Sequence, residues 1–191
     1  AADCNRNGVE DPEDIGSGSS LDCNANVIPD ECELAPGSLA LEQQLEYFTG
    51  AAASSVTAAD LDGDGRLDLV VTNRSARTVS ILRGRSDRTF EPPFHLAAGE
   101  DPRKAIAVDL DGDDDLDLIV NNDDSDEVSV LRNRGGGSFD VEPRIPTPRF
   151  PRRMVAGDLD GDGDTDFVTI NQASETVSVL LNQGGALAPP A

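Results

Sequence analysis

Asp60-Leu-Asp-Gly-Asp-Gly-Arg-Leu-Asp68 recurs twice in this chain of 191 residues, as Asp109-Leu-Asp-Gly-Asp-Asp-Asp-Leu-Asp117 and as Asp158-Leu-Asp-Gly-Asp-Gly-Asp-Thr-Asp166. The first aspartates of successive copies lie 49 residues apart in both intervals. A fixed period of this length is typical of a repeat architecture, in which each copy forms one supersecondary unit. The sequence therefore predicts three equivalent structural units.

Each copy spaces its acidic side chains as a calcium-binding loop does. Carboxylates stand at loop positions 1, 3, 5 and 9, and an extended loop turns every second residue toward one ion. A glycine at position 4 permits the sharp turn, and the residue at position 7 offers its backbone carbonyl. The predicted ligands are Asp60, Asp62, Asp64, Arg66 and Asp68; Asp109, Asp111, Asp113, Asp115 and Asp117; and Asp158, Asp160, Asp162, Asp164 and Asp166.

The alternative interpretation is that these loops are acidic, solvated turns, since Asp and Gly are common turn residues. That interpretation does not explain why three copies share one spacing. Four carboxylates held within a few ångströms of one another would also repel strongly without a cation. The pattern therefore favours calcium.

Short, β-branched runs surround each acidic loop and predict strands joined in hairpins. The runs before the loops are residues 55–59, 105–108 and 154–157, and those after the loops are 67–71, 116–120 and 166–170. Asn73, Asn122 and Asn171 then stand in predicted polar turns, and the next strands are 78–82, 127–131 and 176–180. A less regular fourth run lies further upstream, at Leu45–Thr49, Phe94–Ala97 and Asp140–Ile145. Four short strands per repeat are the signature of a propeller blade.

The pattern D-L-D-G-D-G-x-x-D-L-V of residues 60–70 resembles the FG-GAP/VCBS repeats of integrin-type β-propellers, and the resemblance covers about residues 41–185. It implies an all-β fold of three four-stranded blades, in which each acidic loop joins two strands and binds calcium. The chain departs from the family in number, because such propellers usually have seven blades and closure needs about four or more.

Residues 1–34 are predicted to form a separate calcium-loop module. Asp3–Asp14 and Asp22–Glu33 both place oxygen side chains at positions 1, 3, 5, 9 and 12, which is the EF-hand loop pattern, although Val27 replaces the glycine expected at position 6 of the second loop. The module resembles dockerin and thrombospondin type 3 repeats; a disordered polar leader is the alternative. The predicted ligands are Asp3, Asn5, Asn7, Val9 (carbonyl), Asp11 and Asp14, then Asp22, Asn24, Asn26, Ile28 (carbonyl), Asp30 and Glu33.

The three cysteines, Cys4, Cys23 and Cys32, all lie in this module. Cysteines clustered in a small unit with a poor core indicate disulfides and an oxidising compartment, while their odd number leaves one thiol free or paired between chains. Zinc is a weaker alternative, because no histidine lies nearby. The predicted domains are the module at 1–34, a linker at 35–44 and the three blades at 45–191.

Composition excludes some partners. The net charge of −22 disfavours nucleic acid and anionic membranes, and five calcium ions would reduce it to about −12. No apolar run is long enough to span a bilayer. The chain begins without a signal-peptide pattern, so residue 1 is expected to be a mature or truncated start.

We expect a protein that is not an enzyme. The single histidine, His95, lies in an apolar run, and no nucleophile with its base appears. The predicted function is an extracellular or cell-surface calcium-binding structural protein with about five Ca²⁺ sites, which self-assembles through blade edges into a filament or closed homo-oligomer. A surface adhesion propeller with a carbohydrate or protein ligand is the alternative, and part of a secreted hydrolase is a third possibility.

Overall fold

The computed structural model describes residues 45–187, which form antiparallel sheets and contain no helix. The strands of the first sheet are β1 (Ala53–Ala59), β2 (Asp68–Asn73), β3 (Thr78–Leu82) and β4 (Phe94–Ala97). Those of the second are β5 (Pro102–Val108), β6 (Asp117–Asn122), β7 (Glu127–Asn133), β8 (Phe139–Val141) and β9 (Ile145–Pro146). Those of the third are β10 (Pro151–Gly157), β11 (Asp166–Asn171) and β12 (Thr176–Leu180), followed by a hairpin of β13 (Asn182–Gln183) and β14 (Ala186–Leu187). We call the three sheets blade 1, blade 2 and blade 3.

The blades repeat one another residue by residue. Val56 pairs with Val71 in blade 1, as Ala105 pairs with Val120 in blade 2, 49 residues later. The register of the first strand shifts at the same place in every blade, next to a non-glycine residue with positive φ. Those residues are Ala52, Asp101 and Phe150, with φ of 60°, 54° and 59°. The predicted period is confirmed in the backbone itself.

The core lies between the blades. Blade 1 contributes Leu61, Val79 and Ile81 to one cluster, in which they contact residues of blade 2 such as Leu118 and Leu131. Strand residues alternate between the two faces of a sheet, so the opposite face of blade 2 is free to form a second cluster. That cluster joins Leu110, Ile119, Val128 and Val130 to Met154, Phe167 and Leu180 of blade 3. Blade 2 thus buries both faces, as expected for stacked propeller blades.

The fourth strand was assigned to the wrong blade by the sequence prediction. Leu45–Thr49 contains no strand, and Phe94–Ala97 pairs with β3 of the preceding blade instead of starting the next one. The Asp140–Ile145 run divides between β8 and β9, which both pair with β7. The physical reason is that β3 and β7 each present one free edge, and the run that follows in sequence fills it. In blade 3, the described residues provide only three strands.

Asn73, Asn122 and Asn171 are the last residues of the second strands and are fully buried, so they do not lie in the polar turns predicted for them. The Asn73 amide donates to Ser80 Oγ at 2.6 Å, and the other two asparagines make the equivalent bond. Gly99 donates its N–H to Asn122 Oδ1, and a Cβ on Gly99 would lie 2.6 Å from Asn122 Cγ. A close approach to this asparagine therefore explains why Gly50 and Gly99 recur 49 residues apart.

Candidate metal centre

The three acidic loops join the first and second strands of their blades and so lie at the same end of all three sheets. In each loop, one oxygen from each of three aspartates lies within 4.8 Å of the others. The three groups are Asp60, Asp62 and Asp68; Asp109, Asp111 and Asp113; and Asp158, Asp160 and Asp166. The remaining predicted carboxylates, Asp64, Asp117 and Asp162, lie outside these groups. Closely spaced, hard anionic oxygens are the donor set that fits calcium.

Backbone hydrogen bonds curl each loop around its first aspartate. Gly63 and Gly65 donate their N–H groups to the two Asp60 carboxylate oxygens at 2.9 and 2.8 Å. Asp109 and Asp158 accept the same pair of bonds in the other loops. The turn needs positive φ at positions 4 and 6; position 6 is Gly65 in loop 1 but Asp114, with φ of 69°, in loop 2. The position-4 glycine therefore has the conformational role predicted for it.

Replacing Gly161 with alanine tests this conformational role. Gly161 has φ of +83° and open space around it, so Gly161→Ala should cost about 1–2 kcal/mol of unfolding free energy through backbone strain alone. Gly157→Ala is the matched control, because Gly157 also has open space but no positive φ. Chemical denaturation in chelator measures both variants. Equal stabilities would contradict the proposed strain.

The position-9 aspartates, Asp68, Asp117 and Asp166, are buried and bind two backbone segments together. Each accepts the N–H of loop position 2, at 2.8–3.2 Å, and the N–H of a residue at or just beyond the end of the third strand, at 2.7–2.8 Å. Burial raises the pKa of Asp68 and Asp117, although these hydrogen bonds oppose the shift. At Asp166 the hydrogen bonds from Asn182 and Leu159 outweigh burial and lower the pKa. These carboxylates therefore hold the loop, and Asp68 and Asp166 also belong to the carboxylate cluster of their loops.

The position-7 residues, Arg66, Asp115 and Asp164, were predicted to offer only backbone carbonyls. Their N–H groups donate to the position-5 carboxylates at 2.9–3.0 Å, which turns the chain back toward the loop centre. The side chains differ: Arg66 forms an ion pair with Asp64, whereas Asp164 accepts the N–H of Gly184 at 2.7 Å. The carbonyl contact stays a prediction.

Two side chains that the sequence analysis missed join the first and second loops to the blade that follows each of them. Asn133 donates to the Leu61 carbonyl at 2.7 Å, and Asn182 donates to the Leu110 carbonyl at 2.8 Å. Arg132, just before Asn133, forms ion pairs with Asp117 at 2.8 Å and with Asp111 at 3.3 Å. Aligning the chain with itself at 49 residues places Asn182 on Asn133 and could have identified this pair.

Other predicted features lie elsewhere. His95 is exposed on β4 and shares a hydrogen bond with Ser80 at 2.8 Å, so it serves as a strand side chain. The calcium loops predicted at Asp3–Asp14 and Asp22–Glu33, and all three cysteines, fall outside the described residues. Within residues 45–187, no helix is long and apolar enough to cross a membrane.

Two solved structures show the same fold over about three quarters of the chain. One is an Agrocybe aegerita lectin described for specific recognition of non-reducing terminal N-acetylglucosamine, with 25% identity, a TM-score of 0.53, and coverage of 73% of this chain and 38% of the lectin. The other is BBS1N in complex with ARL6DN, with 15% identity, a TM-score of 0.52, and coverage of 74% and 44%. The chain thus spans less than half the length of these propeller-like relatives.

No curated protein matches the chain significantly. The FG-GAP-like repeat family matches residues 60–120 and 109–169, which together exceed half of the sequence. The matched ranges contain the three acidic loops and the strands between them, in the register described above. This chain belongs to the FG-GAP-like repeat family.

Proposed function

We propose that the chain is a calcium-binding structural protein that acts outside the cell and assembles with copies of itself through its blade faces. The observation that carries the calcium proposal is the recurrence of a three-carboxylate oxygen cluster at one place in all three blades. The residues Asp60, Asp109 and Asp158 would hold the ion together with the other carboxylates of their loops. The ion would neutralise their charge and fix the loop.

A pair of substitutions in the second loop tests the ligand register. Asp111 at position 3 is expected to coordinate through its side chain, whereas Asp115 at position 7 is expected to use its carbonyl, which alanine retains. Asp111→Ala should therefore weaken calcium binding at this loop by about tenfold or more, and Asp115→Ala should change it only slightly. Calorimetric titration of the full chain measures both. Equal losses would reject the register.

The expected calcium affinity supports the proposed extracellular location. Sites of modest affinity, with Kd of about 10⁻⁴–10⁻³ M, fill only where calcium is near millimolar, as it is outside cells. A non-catalytic role is supported by His95, which bonds to Ser80, and by the engagement of the ordered carboxylates in loops and ion pairs. We therefore propose a structural and not a catalytic role.

Self-assembly is supported by an apolar surface on blade 3, which we call the outgoing face. In blades 1 and 2, the equivalent residues are covered by the blade that follows. Val128 and Val130 of blade 2, for example, are buried. Their blade 3 counterparts are 62% and 44% exposed. The outgoing face consists of Val155, Leu159, Ile170, Val177 and Val179.

Val56 is the exposed apolar residue on the corresponding face of blade 1. Val56 is 64% exposed, while its counterparts Ala105 and Met154 are buried against the outgoing face of the preceding blade. A second copy would therefore place its blade 1 on blade 3 of the first, closing a six-bladed ring or continuing as a filament. Because Leu45–Thr49 forms no strand, we propose that copies meet through blade faces and not through the blade edges expected from the sequence.

Light scattering of the full chain in calcium tests the assembly. Val177→Asp should convert the oligomer to monomer, because the charge would be buried in the contact. Val141→Asp is the control. Val141 is also exposed, but it lies on β8 of blade 2 and outside the outgoing face. A monomeric wild-type chain, or an oligomer that Val177→Asp leaves intact, would refute this contact.

Glycan binding is the second candidate function. It is favoured by the likeness to the lectin and by a cleft of about 330 Å³ lined by Phe150, Arg152, Gln172 and Ala173. An aromatic ring beside amide and guanidinium donors suits a sugar, which offers apolar and hydroxyl surfaces together. Titration with an oligosaccharide ending in N-acetylglucosamine, using wild-type protein and Phe150→Ala, tests it. If the wild-type protein does not bind this oligosaccharide, recognition of terminal N-acetylglucosamine is rejected.

A further inference from the structure

One of the positions at which the three blades differ lies outside the loop but beside its carboxylates. Residues 83, 132 and 181 occupy the same place in the 49-residue repeat, at or just after the end of the third strand, and are Arg, Arg and Leu. We propose that this position grades the three sites, so that the second loop binds calcium most weakly and the third most tightly. The inference rests on the proposed calcium function.

Arg132 is a fixed cation within the second loop. Its side chain is only 5% exposed, and Nη1 lies 2.8 Å from Asp117 Oδ2 and 3.3 Å from Asp111 Oδ2. Nε contacts Glu142 Oε1 at 3.0 Å, and Nη2 donates to the Gly185 carbonyl at 2.6 Å. Held by Glu142 and Gly185, the guanidinium has little freedom to withdraw. It therefore engages two predicted calcium ligands and repels a second cation.

Arg83 acts on the first loop only at longer range. Its Nε lies 3.9 Å from Asp62 Oδ2, and its side chain is 36% exposed. Its Nη2 instead donates to the carbonyls of Gly136 and Gly137 of blade 2, at 2.9 and 3.1 Å. Arg66 of the loop also pairs with Asp64, but its side chain is 44% exposed. Because solvent screens partly exposed charges, the repulsion at the first loop should be smaller than at the second.

The third loop has no such cation. Leu181 is uncharged, and among the described residues none of the aspartates from Asp158 to Asp166 forms an ion pair. Their mutual repulsion is therefore relieved only by hydrogen bonds, and a bound ion would relieve most of it. The expected order of affinity is third loop, then first loop, then second loop.

Reciprocal substitutions in the full chain test the proposal by calcium titration calorimetry. The second loop is isolated in an Asp60→Ala/Asp158→Ala background, and Arg132→Leu there should tighten its Kd by about tenfold or more. The third loop is isolated in an Asp60→Ala/Asp109→Ala background, and Leu181→Arg should weaken it by a similar factor. Calcium binding elsewhere in the chain is the same in all variants, so it does not affect the difference between a variant and its background.

Arg134→Leu is the matched control, since it removes the same charge from a surface pair with Asp140 and should change Kd less than about twofold. Leu181→Arg keeps the test decisive if Arg132→Leu impairs folding. Calcium binding that neither variant alters would overturn the proposed grading while leaving the calcium function intact. Absence of binding at all three loops would overturn both.

Discussion

Removing calcium with EGTA is expected to lower the Tm of this protein substantially. Each acidic loop concentrates at least four carboxylates, and Arg66, Arg83 and Arg132 offset their repulsion only in part. With Kd of about 10⁻⁴–10⁻³ M and calcium near 1 mM, each site contributes about 0.4–1.4 kcal/mol by mass action. Three sites therefore add about 1–4 kcal/mol, and each kcal/mol moves the Tm of a domain of this size by about 2–4 °C.

The control for this experiment is a variant in which Asp60, Asp109 and Asp158 are all replaced by alanine. Its Tm should be nearly the same with calcium and with EGTA, because the first ligand of each loop is missing. Differential scanning calorimetry at constant ionic strength separates specific binding from charge screening. An unchanged wild-type Tm in EGTA would contradict calcium stabilisation.

Asp166→Ala is expected to destabilise the protein even when no calcium is present. The buried Asp166 carboxylate accepts N–H bonds from Leu159 and Asn182, both at 2.8 Å. Alanine would leave the buried Asn182 N–H without this acceptor, at about 1–3 kcal/mol, while the part-buried Leu159 N–H costs less because water can reach it. We expect a loss of about 1–4 kcal/mol of unfolding free energy in EGTA, measured by chemical denaturation.

Asp162→Ala in the same loop provides the comparison. Asp162 is exposed and accepts only the N–H bonds that form within the loop, such as that of Asp164 at 2.9 Å. Its replacement should weaken calcium binding but leave the unfolding free energy in EGTA within about 1 kcal/mol of wild type. If Asp166→Ala were equally harmless in EGTA, the position-9 carboxylate would be a ligand without the structural role inferred here.

The repeat and its loops were predictable because their signal is local. The spacing of Asp60, Asp62 and Asp68 stands in the sequence, and the period of 49 residues aligns the copies. The partner of each fourth strand was not predictable in this way. Phe94–Ala97 reads as a strand on its own, but its pairing with β3 depends on which sheet edge is free, a property of the assembled fold.

The contacts between blades could not be predicted from the sequence pattern either. Asn133 and Leu61 are 72 residues apart, and nothing local to either residue predicts that the amide reaches the carbonyl. Likewise, an arginine near the end of a strand is usually exposed, but Arg132 is buried against Asp117. Propensity and periodicity describe single strands, whereas these residues take their roles from the stacking of one blade on the next.

The central claim is that each blade loop holds one calcium ion, and the most direct test is the number of ions bound per chain. Equilibrium dialysis at saturating calcium should compare the wild-type chain with the Asp60→Ala/Asp109→Ala/Asp158→Ala variant. Any ions bound outside the blades are common to both proteins and do not affect the difference. The account predicts that the variant binds three fewer ions per chain than the wild type. Equal numbers for the two proteins would contradict it.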